Sequence, residues 1–272
     1  MLGGCDLFAA HKDWRLCPEE VISHGELIAA GFVAGLGCAL ATGVGSVPAA
    51  FVRHASDRVM DSLLGFAAGI MLAATVFGLI TPAIDEGGTG KALLGLLAGV
   101  ALLGLADNLV PHLHFLDGSN GPGAARLRRV WLFILALTIH NLPEGLAVGV
   151  GFGPGDIAAG IVLAVGIGIQ DMPEGLAVSL SLVREGYGSR RAIAYATLTG
   201  LAEPVTALIG ISLVVIIGPL IPFGLAFAGG AMLYILIDEM IPESHHRGNH
   251  LWATSGTVAG FVLMTALERL FA

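Results

Sequence analysis

Charge is what this sequence lacks most. Of its 272 residues only 12% are Asp, Glu, Lys or Arg, against roughly 25% in an average soluble domain. A chain of this size with so little charge cannot cover its own surface with polar groups, which argues against a soluble enzyme, a nucleic-acid binder or a disordered chain. The strict apolar–polar alternation of a membrane β-barrel is missing too. The first 24 residues, polar and irregular, lack the basic start and apolar core of a signal peptide. Cysteine is scarce, with three in the chain.

What is present is apolar and small. Hydrophobic residues make up 55%, glycine contributes 40 positions, and the mean hydropathy is +0.83. Spanning a bilayer as a helix takes roughly 20 apolar residues. Eight segments of that kind run near 27–52, 62–84, 92–115, 130–152, 156–183, 191–217, 223–244 and 251–270. The expected fold is an all-α membrane protein of eight transmembrane helices over 27–272, preceded by a polar tail over 1–26. Small residues such as Gly95, Gly99 and Gly104 suit close helix contacts, because packing drives association in lipid.

Basic residues set the orientation. Arg53, Arg58, Arg126, Arg128, Arg129, Arg184, Arg190, Arg191 and Arg247 all follow odd-numbered spans, while Lys12, Arg15, Lys91 and Arg269 lie on the opposite side. This bias places the loops after odd spans in the cytoplasm and both termini outside, in the inner (cell) membrane. Cys5 and Cys17 then lie on the outer face, where a disulfide and two free thiols both fit. Cys38, inside span 1, reads as a packing residue.

The few acids are placed where they cost most. An ionised side chain at mid-membrane costs about 2.5 kcal/mol or far more, yet Glu144, Asp171, Glu174 and Glu203 lie well inside spans 4, 5 and 6 with no central Lys or Arg to pair them. They must be protonated, solvated in a cavity or holding a cation. Span 4 reads His140-Asn141-Leu142-Pro143-Glu144-Gly145 and span 5 reads Gln170-Asp171-Met172-Pro173-Glu174-Gly175. His140 and Glu144 are four apart, as are Gln170 and Glu174, so each pair shares a helix face. Imidazole with carboxylates suits a divalent transition metal. Pro143 and Pro173 each remove a hydrogen bond and disturb the carbonyls of Ile139 and Ile169, so both helices are expected to be broken beside the polar pairs. Glu203-Pro204 repeats the acid-plus-proline device in span 6. Pro-Glu-Gly-Leu-Ala-Val occurs at 143–148 and again at 173–178 on consecutive, antiparallel spans, so the two glutamates can face each other at one depth. Paired interrupted helices of this kind point to a transport site. Met71, near the middle of span 2, reads on its own as core filler.

These motifs resemble the prokaryotic ZIP (Zrt- and Irt-like) family of divalent-metal transporters, over about residues 30 to 270. The resemblance implies eight core helices and a metal centre in the middle of the bundle, between spans 4 and 5, with contributions from spans 2 and 6. It implies two ions. One would be held by Met71, His140, Glu144, Gln170 and Glu174, the other by Asn141, Glu144, Asp171, Glu174 and Glu203, with Glu144 and Glu174 bridging. Asp85 and Glu268 would attract cations at the outer mouth. Asp107, His112, His114, Asp238 and Glu239 would line the release route, Asp238 standing where relatives often carry His. The loop His245-His246-Arg247-Gly248-Asn249-His250 could hold metal at the cytoplasmic side.

The expected function is secondary transport of zinc or a similar ion (Cd²⁺, Fe²⁺ or Mn²⁺) into the cytoplasm. There is no Walker-type loop to couple it to nucleotide hydrolysis. By the resemblance, spans 1, 4, 5 and 6 would move against a static set of 2, 3, 7 and 8. The ions are cargo and no resident cofactor is expected. The expected partners are divalent metal ions and the lipid bilayer, with a homodimer left open and no nucleic acid. A passive metal channel shares every ligand. An intramembrane zinc hydrolase would use His140-x-x-x-Glu144 as a protease-like helix, but it needs a second His on that face, and spans 4, 5 and 6 hold none.

Overall fold

The computed structural model describes residues 23–52, 55–109, 123–153 and 157–271, without the side chains of 107–109, 123–130, 132 and 133. Cys5, Cys17, His112 and His114 lie outside the described residues, and so does the side chain of Asp107.

Eight helices are long and apolar enough to cross a membrane. Span 1 is His24–Ala50, span 2 Asp57–Gly87, span 3 Thr89–Ala106, span 4 Ile134–Gly151, span 5 Ile157–Arg184, span 6 Ser189–Ile216, span 7 Gly218–His245 and span 8 His250–Phe271. Among the described residues there is no β-strand. Span 1 starts sharply because Ser23 and Glu26 form a capping box. The Glu26 amide donates to Ser23 Oγ at 3.3 Å, and the Ser23 amide donates to Glu26 Oε2 at 2.8 Å.

The interruptions differ from the sequence expectation. Pro143 and Pro173 sit inside unbroken helices, Gly123–Gly151 and Ile157–Arg184. A membrane helix absorbs the loss of one N–H when neighbouring helices and side chains take up the freed groups. The break falls in span 6, between Ser189–Gly200 and Ala202–Ile216, with Leu201 at ψ −8° between them. Glu203 is thus in the first turn of a half-helix, whose positive N-terminal end suits a carboxylate. Two more distortions are π-helical turns, at Ala74–Ile80 in span 2 and Leu236–Met240 in span 7. Each directly precedes an X-Pro pair, Thr81-Pro82 or Ile241-Pro242, where widening relieves the clash between the proline ring and the carbonyl four residues back. The Thr81 hydroxyl donates to the Val76 carbonyl at 2.8 Å.

Glycines define which helices touch backbone to backbone. A Cβ on Gly35 would lie 2.9 Å from Pro204 Cα, on Gly45 2.4 Å from Met172 Cα, and on Gly149 2.8 Å from Ala207 Cα. These contacts bind spans 1, 4, 5 and 6 together. A Cβ on Gly69 would lie 2.0 Å from the Thr257 carbonyl oxygen and on Gly99 2.1 Å from that of Phe227, binding span 2 to span 8 and span 3 to span 7. Between the two groups the described glycines meet side chains only. Gly166 faces Met264 Sδ, Gly78 faces Leu163 Cδ1 and Gly224 faces Val150 Cγ1. Spans 1, 4, 5 and 6 are therefore joined backbone to backbone, as are the pairs 2–8 and 3–7, and these groups meet one another through side chains.

One end of the span 2–span 8 set is fastened by a buried acid. Asp61 is fully buried, and it accepts from Arg247 Nη1 at 3.0 Å and from Asn249 Nδ2 at 2.9 Å. Arg247 also donates to Glu243 at 2.6 Å. Burial works against the guanidinium charge, and these hydrogen bonds outweigh it, holding the Arg247 pKa above its ordinary value. Arg247→Ala would strand the Asp61 carboxylate, and breaking a buried pair costs about 3–5 kcal/mol. A clear drop in the detergent-solubilised unfolding midpoint is expected, whereas Arg190→Ala, at an exposed position in the first turn of span 6, leaves it unchanged.

Candidate metal centre

The centre lies where spans 4, 5, 6 and 1 converge, and the doubled Pro-Glu-Gly motif builds it. In each copy the glycine removes the side chain that would hold a neighbour away. A Cβ on Gly145 would lie 2.5 Å from Glu203 Cα, and one on Gly175 2.1 Å from the Thr42 carbonyl oxygen. Gly145 thereby brings span 6 and Glu203 against Glu144, and Gly175 brings span 1 against Glu174.

Two donor groups result. In the first, His140, Glu144 and Glu174 each offer an atom within 4.8 Å of the others. His140 Nε2 stands 4.0 Å from Glu144 Oε1 and 3.8 Å from Glu174 Oε2. In the second, Cys38, Asp171 and Glu203 meet the same limit. Gln170 links the motifs by donating its amide to Glu144 Oε1. All of these residues are buried, as are Asn141 and Met71, the latter at 0% exposure.

The hydrogen-bond balance of this centre is incomplete. His140 Nε2, Glu144 Oε2, Gln170 Oε1, Asp171 Oδ2, Glu174 Oε1 and Glu203 Oε2 are buried without a hydrogen-bond partner among the described residues. Each such atom costs about 1–3 kcal/mol, and more where it is charged, so protons, water or a cation must satisfy them. All six can donate a lone pair. Zinc bonds to N and O are about 2.0–2.2 Å long, so donors separated by up to 4.8 Å can close on an ion with small side-chain shifts.

The span 7 distortion contributes directly. It carries Glu239, whose Oε2 lies 3.1 Å from His140 Nδ1. A carboxylate on one ring nitrogen fixes the tautomer and turns the other nitrogen, here Nε2, into a free donor. Read from sequence, Glu239 belonged only to a release route; in the structure it also orients His140. Asp238, the preceding residue, is exposed.

The outer-mouth residues separate. Asp85 is exposed at the end of span 2. Glu268 is half-buried against Gly78, where a Cβ would lie 2.8 Å from its Oε1, and that oxygen has no hydrogen-bond partner among the described residues. Spans 2 and 8 run parallel, so both acids mark the same end of the bundle. In the His-rich loop, His245 is held by Ser244 Oγ at 2.9 Å and the Ile241 carbonyl at 3.0 Å, which makes it part of the loop's own framework.

Two site residues escaped the sequence reading. Cys38, packed in the apolar core as expected, also lies within 4.8 Å of donor atoms of Asp171 and Glu203, and Thr42 Oγ1 donates to Glu203 Oε1 at 3.5 Å. They are four apart on span 1, the same spacing that singled out His140 and Glu144. That periodicity was the available signal.

The family described as ZIP zinc transporter matches residues 112–268. Zinc transporter GufA of Myxococcus xanthus is 43% identical over 248 residues, covering 88% of this chain and 98% of that protein. The chain belongs to the ZIP zinc transporter family. Zinc transporter ZIPB of Bordetella bronchiseptica is 44% identical over 238 residues, 84% of this chain and 77% of its own. Zinc transporter ZIP11 of Homo sapiens is 34% identical over 301 aligned positions, 78% of this chain and 88% of its own. This ZIP protein is therefore a membrane transporter and not an enzyme, which removes the intramembrane hydrolase reading.

Proposed function

We propose that this ZIP protein is a secondary carrier that moves zinc, and similar divalent ions such as Cd²⁺, Fe²⁺ and Mn²⁺, into the cytoplasm through a two-ion centre between spans 4 and 5. The observation that carries this reading is the set of six buried donor atoms without partners, drawn from His140, Glu144, Gln170, Asp171, Glu174 and Glu203. Glu144 and Glu174 bridge the ions, Met71 and Gln170 complete the first, and Asn141, Asp171 and Glu203 complete the second. Asp85 and Glu268 gather cations at the outer mouth. Asp107, His112, His114, Asp238 and Glu239 receive them on the cytoplasmic side. The arginine bias of the loops supports a topology with both termini outside.

The side-chain seam supports a moving set of spans 1, 4, 5 and 6. Backbone-to-backbone contacts resist sliding, because close-packed main chains have no alternative register nearby, while side chains can change rotamer. All acids of the centre belong to that set, so the ions would travel with it, past Glu239 on the static side.

The test is zinc uptake into proteoliposomes reconstituted with the full chain. A carrier gives saturable flux, competition among Zn²⁺, Cd²⁺, Fe²⁺ and Mn²⁺, and no single-channel currents in planar bilayers. Non-saturating flux with discrete current steps would make it a channel.

A further inference from the structure

We propose that the thiol of Cys38 is a ligand of the second ion, so that this site is mixed sulfur–oxygen and selects for soft or borderline divalent cations. The inference deepens the two-ion reading and rests on it. Cys38 is 1% exposed and packs in the apolar core, yet two carboxylates also face it. Its Sγ and one oxygen each of Asp171 and Glu203 lie within 4.8 Å of one another. Asp171 Oδ2 and Glu203 Oε2, both fully desolvated, have no hydrogen-bond partner among the described residues. A thiol whose only task is filling space needs no polar neighbours, and two buried carboxylates within 4.8 Å of it gain nothing in packing.

The surroundings aim the sulfur. Cys38 donates to the Ala164 carbonyl of span 5 at 3.3 Å, which holds the side chain on the face of span 1 that looks toward Asp171. One turn later, Thr42 occupies Glu203 Oε1 from the same face and leaves Oε2 free. A built Cβ on Gly168 comes only to 4.0 Å from Cys38 Sγ, so span 5 leaves room for the thiol to turn away from Ala164. Zinc–sulfur bonds are about 2.3 Å long, and the cluster can contract to that. Coordination takes the thiolate, so the thiol proton leaves to solvent when this ion binds, together with any proton held by the coordinating carboxylates. Thiolate strengthens binding of Zn²⁺ and Cd²⁺ relative to Mn²⁺ or Mg²⁺, which prefer oxygen.

The experiment uses the full-length protein carrying Cys5→Ser and Cys17→Ser, so that Cys38 is the remaining cysteine, purified and titrated with Cd²⁺. Thiolate-to-cadmium charge transfer gives an ultraviolet absorption band that carboxylates, imidazole and the Met71 thioether do not. The band is expected to grow to one equivalent per chain and to be missing in Cys38→Ser and Cys38→Ala. Radiocadmium binding should keep the first ion in those variants and weaken the second at least as much as the roughly 10–100-fold that loss of an outer-shell partner costs. Two bound cadmium ions with Cys38 present and no band would overturn the thiol assignment while leaving the two-ion centre intact. That arm needs no variant at the site, so it stands even if Cys38→Ser misfolds. One bound cadmium ion per chain in the protein that keeps Cys38 would instead overturn the two-ion reading, and the thiol assignment with it.

Discussion

Glu174→Ala reduces zinc uptake to the level of empty proteoliposomes while the protein remains folded. Glu174 stands opposite Glu144 across His140 Nε2, at 3.8 Å from that nitrogen, and its Oε1 is one of the atoms without a partner. Its proposed role as a bridge means that both ions lose a ligand and the negative charge that holds them. The effect therefore exceeds the roughly 10–100-fold cost of losing an outer-shell partner. Folding survives because the carboxylate is a burden to the apo protein. A desolvated acid without a full set of partners costs free energy, so its removal leaves the unfolding midpoint without metal unchanged or raised. The same variant loses the rise in midpoint that zinc gives the parent, since stabilisation by a ligand scales with its binding. Unchanged uptake by Glu174→Ala would remove the centre from the transport path.

Gly175→Ala has the opposite signature, in that it damages the fold first. Its Cβ would come within 2.1 Å of the Thr42 carbonyl oxygen, which belongs to backbone and cannot rotate away. Span 1 must retreat from span 5, carrying Thr42 and Cys38 away from Glu203 and Asp171. Overpacking costs typically 1–3 kcal/mol, and a backbone clash stands at the upper end of about that range. A lowered unfolding midpoint together with severe loss of uptake is expected. Gly37→Ala is the control, with open space around its Cβ and a midpoint equal to the parent. Gly166→Ala is intermediate, because its Cβ meets the flexible Met264 side chain at the seam between the helix sets. It is expected to fold normally and to slow uptake, as a change at a sliding surface would.

Much of this was legible in the chain. Length and apolarity alone locate eight spans, because each must satisfy its backbone internally across the bilayer. The four central acids stand out because lipid makes any charge conspicuous. The depth match of Glu144 and Glu174 follows from the repeated hexapeptide on antiparallel helices. What the chain did not show was local and three-dimensional. Pro143 and Pro173 predicted breaks that neighbouring helices absorb, whereas the break occurs at Leu201, beside Gly200, whose carbonyl is the one Pro204 disturbs. The π-helical turn before Ile241-Pro242 carries Glu239 to His140, and periodicity with 3.6 residues per turn cannot place a residue in or beyond such a turn. The carboxylates beside Cys38 could not be foreseen, because a lone cysteine in an apolar helix is ordinary and its neighbours across the helix interface are set by the fold.

The most direct measurement of the central claim is an anomalous difference map at the zinc edge from crystals grown with zinc, compared with crystals of Glu203→Ala. The account predicts two peaks per chain in the parent, one among His140, Glu144 and Glu174 and one beside Asp171 and Glu203, and loss of the second peak in the variant. A single peak, or peaks remote from both donor groups, would contradict it.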